Sequence, residues 1–210
     1  MKQAGTTLRR SFLLSPARCD GRRAQMLCNP NASFDLALRL RPEGPGAPIG
    51  EVFSFLSGLY FRGKLAYANA FDTGRQGNPS TLIITTDRGL VAPDTVIHRD
   101  DLVAFSTVDI ASKDDRYAGP LRRDTEALRA ALGEEGMVVL LGSIATGKYT
   151  EILIDAFGER LLFPIAFVGR GDMSRGGLLL RHVQQGSELE YVPVLGADRH
   201  GKRPPKLGPK

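Results

Sequence analysis

Residues 137–150, MVVLLGSIATGKYT, decide the fold: an apolar run at 138–141 enters a loop of Gly142, Ser143, Ile144, Ala145, Thr146, Gly147 and Lys148, and Ile152, Leu153 and Ala156 follow at helical spacing. A buried strand feeding a glycine-containing turn that opens a helix is the ordinary connection of an open α/β sheet. The turn also carries the spacing G-x-x-x-x-G-K. In a nucleotide-binding P-loop the glycines turn backbone N–H groups toward phosphate oxygens, the lysine adds a point charge, and the next residue is Ser or Thr to hold magnesium. Here the next residue is Tyr149. The hydroxyl of Thr150 comes one position late, roughly 100° around the helix, so it does not take over the metal. The stretch reads as an anion- or small-ligand-binding turn; a true ATP or GTP P-loop and a purely structural turn are the other two readings. A P-loop also calls for a later strand ending in Asp, and the candidate after Lys148, Leu161-Leu162-Phe163-Pro164, reaches Asp172 only through Gly169 and Gly171.

Outward from this stretch, apolar runs bounded by turn residues predict further strands at 12–15, 82–85 and 161–163. Helical patterns separate them. Residues 25–28 and then Phe34, Leu36, Ala37 and Leu40, behind a cap at Asn31 or Ser33, precede the link RPEGPGAP. Val52, Phe55 and Leu56 and then Leu59, Phe61, Leu65, Ala68 and Phe71 follow. Residues 122–132, with Leu121, Ala127, Leu128 and Ala131 on one face and Gly133 beyond the end, form the clearest helix. Residues 178–183 and 189–194, joined through Gln185-Gly186-Ser187, read as a terminal antiparallel hairpin. The expectation is an α/β three-layer sandwich with a mainly parallel sheet and a C-terminal antiparallel hairpin. A single domain at 11–196 would lie between a flexible N-terminus at 1–10 and a basic disordered tail at 197–210.

The chain has 210 residues, of which 42% are hydrophobic, enough for one domain with a substantial core. The net charge of +5 resembles a nucleic-acid signal, but its distribution argues against a basic groove. Lys2, Arg9 and Arg10 make residues 1–10 basic, the tail 197–210 carries five basic residues (Arg199, Lys202, Arg203, Lys206, Lys210) against Asp198, and the segment between is slightly acidic. The tail ADRHGKRPPKLGPK has almost no apolar residue. It reads as a solvated tail, or as a loose contact for RNA or an acidic partner. The two cysteines, Cys19 and Cys28, form no CxxC pair and have no His cluster beside them, which argues against zinc, any other metal centre and a disulfide framework. The apolar core at 12–14 is too short for a signal sequence, and no stretch approaches a membrane span. The expected compartment is the cytoplasm.

In open α/β sheets ligands bind beyond the carboxyl ends of the strands. Four loops qualify: 15–21 with Arg18, 86–89 with Thr86, Asp87, Arg88 and Gly89, the loop from Gly142 to Tyr149, and 168–177 with Arg170, Asp172 and Arg175. Glycines permit close backbone approach, and guanidinium groups bind phosphate or carboxylate through paired donors. The predicted ligand-binding set is therefore Arg18, Thr86, Arg88, Gly142, Ser143, Thr146, Gly147, Lys148, Tyr149, Arg170 and Arg175, with Asp87 or Asp172 as general base. Both aspartates neighbour an arginine, which lowers a carboxylate's pKa and weakens it as a base. The competing reading is that Asp-Arg-Gly and Arg-Gly-Asp are common turn compositions whose charges pair with each other. In LYFRGKLAYA, residues 59–68, Tyr60 and Tyr67 with Arg62 and Lys64 offer stacking and neutralisation to a nucleotide; amphipathic packing behind Phe61, Leu65 and Ala68 is the alternative.

LYFRGKLAYANAF followed by LIITTDRGLVAPDTVI resembles the Leu-Tyr…Phe…Tyr-Ala helix, strand and Gly-Leu…Pro turn of a group of uncharacterised bacterial domains with a Rossmann-like α/β fold, and GSIATGKYTEIL is similar to a glycine-containing loop and helix of the same group. The resemblance spans about half of the chain. It implies the α/β fold and directs attention to Asp87-Arg88-Gly89 and to Gly142–Tyr149, without an activity to transfer. Some of these domains are distantly similar to uracil-DNA glycosylases, whose Gly-x-Asp-Pro-Gly and His-Pro-Ser segments have no counterpart here.

The functional expectation is a small phosphate-bearing, nucleotide-like ligand bound at the strand ends, with hydrolase or transferase chemistry and no cofactor specified. A P-loop kinase or ATPase is the alternative from the same motif. A non-catalytic interaction or nucleic-acid-binding protein acting through its basic termini is the alternative of a different class.

Overall fold

The computed structural model describes residues 9–72, 81–110, 114–202 and 204–205. In chain order the elements are β1 (Arg10–Leu14), α1 (Arg22–Cys28), α2 (Asp35–Arg39), β2 (Ala47–Pro48), α3 (Ile49–Ser57), α4 (Leu59–Phe71), β3 (Thr81–Ile84), β4 (Leu90–Val91) and β5 (Val96–Ile97). There follow α5 (Arg99–Ser106), α6 (Asp115–Leu132), β6 (Met137–Leu141), α7 (Gly147–Phe157), β7 (Leu161–Pro164), α8 (Asp172–Gln185) and β8 (Tyr191–Pro193). The main sheet has the order β4-β3-β1-β6-β7-β8. Its four inner strands run parallel, and β4 and β8 close the two edges antiparallel.

The inner strands are apolar on both faces because helices cover both. Side chains alternate across the pleat, so Phe12 and Leu14 of β1 and Val139 and Leu141 of β6 pack with α3, α4 and α8 on one face. Leu13, Val138 and Leu140 pack with α6 and α7 on the other. The result is the three-layer α/β sandwich that the alternation of strands and helices predicts.

The connections set where a ligand can sit. From β1 the chain crosses one face and returns as β3 on one side of β1. It later crosses the opposite face through α6 to enter β6 on the other side of β1, and α7 carries it on to β7. The strand order therefore reverses between β1 and β6, whose carboxyl ends are tied by the Ser15 amide donating to the Leu141 carbonyl at 3.2 Å.

The predicted hairpin is corrected in its first arm. Residues 178–183 lie inside α8, and the antiparallel strand near the C-terminus, β8, pairs with β7 instead. The cap expected at Asn31 or Ser33 falls on Phe34, whose side chain makes no cap bond. Arg10, counted with the flexible N-terminus, opens β1 and holds Glu188 at 2.7 Å; residues 1–8 lie outside the described residues. The expected free tail is in contact with the domain at its start: Gly201 packs on Val168, and the Lys202 backbone lies against Gly169. Residues 203 and 206–210 lie outside the described residues. Among the described residues, no helix is long and apolar enough to cross a membrane.

Two glycines join α4 to α8. A Cβ on Gly63 would stand 2.8 Å from the Gly176 carbonyl oxygen, and one on Gly176 would stand 2.6 Å from the Leu59 carbonyl oxygen and 2.8 Å from the Tyr60 Cα. These neighbours are backbone and have no rotamer by which to withdraw. Alanine gains roughly 1 kcal/mol over glycine in a helix interior, whereas overpacking a rigid contact costs about 1–3 kcal/mol. Gly176→Ala is therefore expected to lower unfolding stability by up to about 2 kcal/mol net, measured by urea denaturation; a gain in stability would show that the helices separate freely.

Candidate functional site

β1 ends in Ser15, whose hydroxyl and carbonyl both meet Lys64 of α4. The Lys64 Nζ donates to the Ser15 carbonyl at 2.5 Å and lies 2.9 Å from the Ser15 Oγ. Lys64 is 1% exposed, and its ammonium sits 4.6 Å from the ring centroids of both Tyr60 and Phe61. Among the described residues, no carboxylate forms an ion pair with it. Burial drives its pKa down to about 7; Asp172 of α8 opposes that shift and Arg175 adds to it. Burial thus favours the neutral amine, the form able to accept the Ser15 hydroxyl proton while still donating to the carbonyl.

Beside this pair a cavity of about 220 Å³ opens at the strand ends. Its walls come from four places in the chain: Ser15 to Arg18 leaving β1, Leu56 and Ser57 at the end of α3 with Tyr60 of α4, Ser143 and Tyr149 of the loop after β6, and Asp172 at the start of α8. It sits where the strand order reverses, the position at which open α/β sheets bind ligands. The Tyr60 hydroxyl is buried beside the Arg175 side chain without a well-formed hydrogen bond among the described residues, and burial raises its pKa, so it stays protonated. Arg10, Thr81, Tyr117 and Thr125 also carry buried polar atoms of this kind, and of the five residues Tyr60 is the one that lines the cavity.

The loop from Gly142 to Tyr149 contributes differently from a phosphate cradle. Tyr149 turns back so that its hydroxyl donates to the Ser143 carbonyl at 2.8 Å, and burial pushes that phenol up to about 12. Gly142 is required by this inward packing: a Cβ there would stand 2.8 Å from the Tyr149 hydroxyl and 2.9 Å from the Ser15 Cβ. Thr146 caps α7 without a side-chain bond and Gly147 opens the helix, while Lys148 is exposed and does not line the cavity.

Of the residues expected to converge, Arg18, Ser143, Tyr149 and Asp172 line the cavity, and Gly142 backs it. Arg18 stands at the rim, paired with Asp20 at 2.5 Å. Arg175 lies just behind, bonded to the Phe167 carbonyl at 3.2 Å and reaching Asp172 at 3.4 Å. The 86–88 turn serves another purpose. Thr86 donates to the Phe105 carbonyl, and Arg88 bonds Asp87 and Asp101 with its guanidinium over the Phe105 ring, which docks the β3–β4 turn on α5. Arg170 bonds the Ala166 carbonyl and the Ser174 hydroxyl within its own loop. Asp87, Arg88 and Arg170 are thus engaged away from the cavity.

Ser15 is the residue that reading the sequence passes over as chemistry, while Tyr60 and Lys64 enter that reading as stacking and charge for a nucleotide. The available signal was spacing: Lys64 is four residues after Tyr60 and three before Tyr67, which puts it on the face with two buried aromatics. Cys19 is no rival nucleophile, since burial pushes its thiol up to about 12. Compared with models of protein families, with curated proteins and with solved structures, the chain matches none.

The depressed Lys64 pKa has a thermodynamic signature. Between the folded value near 7 and the unfolded value near 10.5 only the unfolded chain binds this proton, so the Lys64 contribution to stability rises with pH across that window. Below about 7 both states are protonated and the burial cost is constant. Lys64→Met removes the slope. From pH 7 to 9 wild type should gain on the variant by on the order of 1 kcal/mol per pH unit, read from paired urea curves; parallel curves would mean that Lys64 titrates normally.

Proposed function

We propose that the chain binds a small phosphate-bearing, nucleotide-like ligand in the cavity between the carboxyl ends of β1 and β6, as a hydrolase or transferase. The observation that carries this reading is a cavity at the point of strand reversal whose lining gathers Ser15, Tyr60, Ser143 and Asp172 from separate segments of the chain. Size restricts the ligand. A cavity of roughly 150 Å³ takes a benzene ring, so 220 Å³ takes one substituted ring such as a nucleobase or a pentose, with its phosphate left at the rim.

The rim suits an anion. α8 begins there without a side-chain cap bond, so its first N–H groups and dipole favour negative charge, and Arg18, paired with Asp20, stands at the same rim. Asp172 stands at the rim as the remaining candidate base of the two aspartates, 69% exposed at its side chain. The Tyr149 ring and its bond to the Ser143 carbonyl favour this reading over a P-loop kinase or ATPase, which needs that loop's backbone and a magnesium-binding hydroxyl at the same place.

Thermal-shift and calorimetric titration with pentose 5-phosphates, nucleoside monophosphates and magnesium-ATP test the proposal. A monophosphate of a single ring should bind and ATP should gain nothing from magnesium. Tyr60→Phe should weaken that binding roughly tenfold while leaving unfolding stability unchanged or raised by about 1 kcal/mol, since it deletes an unpaired buried group. Absence of binding by every phosphate compound, or binding indifferent to Tyr60→Phe, overturns the proposal.

A further inference from the structure

We propose that Ser15 is a nucleophile and Lys64 its general base, and that the cavity beside them performs acyl transfer on a ring-sized ester; the proposal rests on reading that cavity as a ligand site. The geometry is that of an activated hydroxyl. A serine is a poor nucleophile until an adjacent base takes its proton, which requires the two groups within hydrogen-bond reach and the base held by a third group. The Lys64 Nζ lies 2.9 Å from the Ser15 Oγ and is fixed by its 2.5 Å bond to the Ser15 carbonyl. Ser15 in turn lines the cavity at the end of a sheet strand, on a rigid element.

Among the described residues, Lys64 forms no ion pair with a carboxylate. The groups facing it are Ser15 from β1, Tyr60 and Phe61 from its own helix, and Asp172 and Arg175 from α8, whose opposite charges act against each other. A lysine desolvated in this way has the basicity that general-base work near neutral pH needs.

The surroundings select acyl over phosphoryl transfer. Phosphoryl transfer spreads charge over three oxygens and calls for several cations or metal ions. Around Ser15 the cations other than Lys64 are spoken for: Arg18 pairs with Asp20, and Arg175 holds the Phe167 carbonyl and Asp172. An acyl transition state develops one oxyanion, which a single neutral donor in a dry site stabilises. The protonated hydroxyl of Tyr60, a cavity-lining residue, is assigned that role.

In the first step the Ser15 Oγ bonds to the ester carbonyl carbon while its proton passes to neutral Lys64, and the carbonyl electron pair moves to oxygen, toward Tyr60. The pair returns, the bond to the alcohol oxygen breaks, and the departing alkoxide takes the proton from Lys64. Water then adds to acyl-Ser15, giving its proton to Lys64, which returns it to the Ser15 Oγ as the acid leaves. Ester and water become alcohol and acid, with no change of oxidation state.

The experiment uses p-nitrophenyl acetate, a single-ring ester matched to the cavity, with acid quench and peptide mass mapping. Wild type should acquire one acetyl group on Ser15 with a burst of p-nitrophenolate. Ser15→Ala should abolish the burst, and Lys64→Met should slow it by roughly 10²–10⁴-fold. Acetylation confined to other residues, or of Ser15 at equal rate in Lys64→Met, overturns the proposal. If Lys64→Met does not fold, the wild-type pH profile decides: a rise through about pH 7 supports Lys64 as base, and a flat profile overturns it. Titration of Ser15→Ala with a pentose 5-phosphate separates the two readings. Phosphate binding without Ser15 acetylation in wild type removes the nucleophile and leaves the ligand site; Ser15 acetylation without any phosphate binding removes the phosphate ligand and leaves the nucleophile.

Discussion

The contact between Gly63 and Gly176 is the constraint on which the rest of the site depends. Helices normally pack with their axes 8–10 Å apart, separated by interdigitating side chains. Here α4 and α8 meet backbone to backbone, because neither glycine presents a Cβ. That approach brings the first turn of α8, with Asp172 and Arg175, onto Tyr60 and Lys64, which lie within one turn of Gly63. It also closes the space above Lys64. A lysine in such a place keeps its amine dry, and the chain tolerates the cost because Ser15 supplies two polar contacts where β1 ends.

This arrangement spends stability on readiness. An unpaired buried hydroxyl at Tyr60 and a desolvated amine at Lys64 are each unfavourable in isolation, on the order of 1–3 kcal/mol for the hydroxyl alone. The aromatic packing nearby is of the opposite kind. Phe12, Phe53, Phe61, Phe105 and Phe163 are all fully buried, and Tyr67, on the same helix as Lys64, is satisfied by Tyr191 and by the Leu189 amide. One helix therefore carries both a saturated tyrosine and an unsaturated one, and only the unsaturated one faces the cavity. Buried polar atoms without a partner among the described residues also occur at Arg10, Thr81, Tyr117 and Thr125, so what sets Tyr60 apart is its place in the cavity lining.

The sheet was legible because its inner strands obey one rule: buried on both faces, they appear as continuous apolar runs, and the runs at 12–15, 82–85, 138–141 and 161–163 coincide with β1, β3, β6 and β7 within a residue or two at each end. The errors fall where tertiary structure overrides local pattern. Gly176 and Gly177 beside Leu178-Leu179-Leu180 imitate a loop and a strand, yet Gly176 is in mid-helix because α4 requires its missing Cβ. The first two turns of α6 were hidden by Gly119 and Pro120; the helix passes through Pro120, with Asp114 accepting from the Arg116 amide at its start. In α4 the pattern was read about one position out of register. Phe61, Leu65 and Ala68 were taken as the core face, but Tyr60, Phe61, Lys64, Tyr67 and Ala68 are the buried set and Leu65 is only half-buried.

That rotation turns Lys64 inward, onto Ser15. A lysine in sequence is read as solvated, and arginine beside aspartate in a glycine turn is read as ready for an anion. In the folded chain Arg88 docks a turn on α5 and Lys148 is exposed, whereas Lys64 is the cation withdrawn from water and set against a hydroxyl. Charge that is easily seen in a sequence tends to be compensated by its neighbours, since Asp and Arg close in the chain are also close in space. Uncompensated charge arises where distant segments meet, and here three of them do: β1 brings Ser15, α4 brings Lys64 and Tyr60, and α8 covers both. The loop after β6 then gains a different meaning from its resemblance to a phosphate cradle. Its glycine at 142 and its tyrosine at 149 pack inward against Ser15, so the feature that departs from the nucleotide motif is the one that helps hold the end of β1 in place.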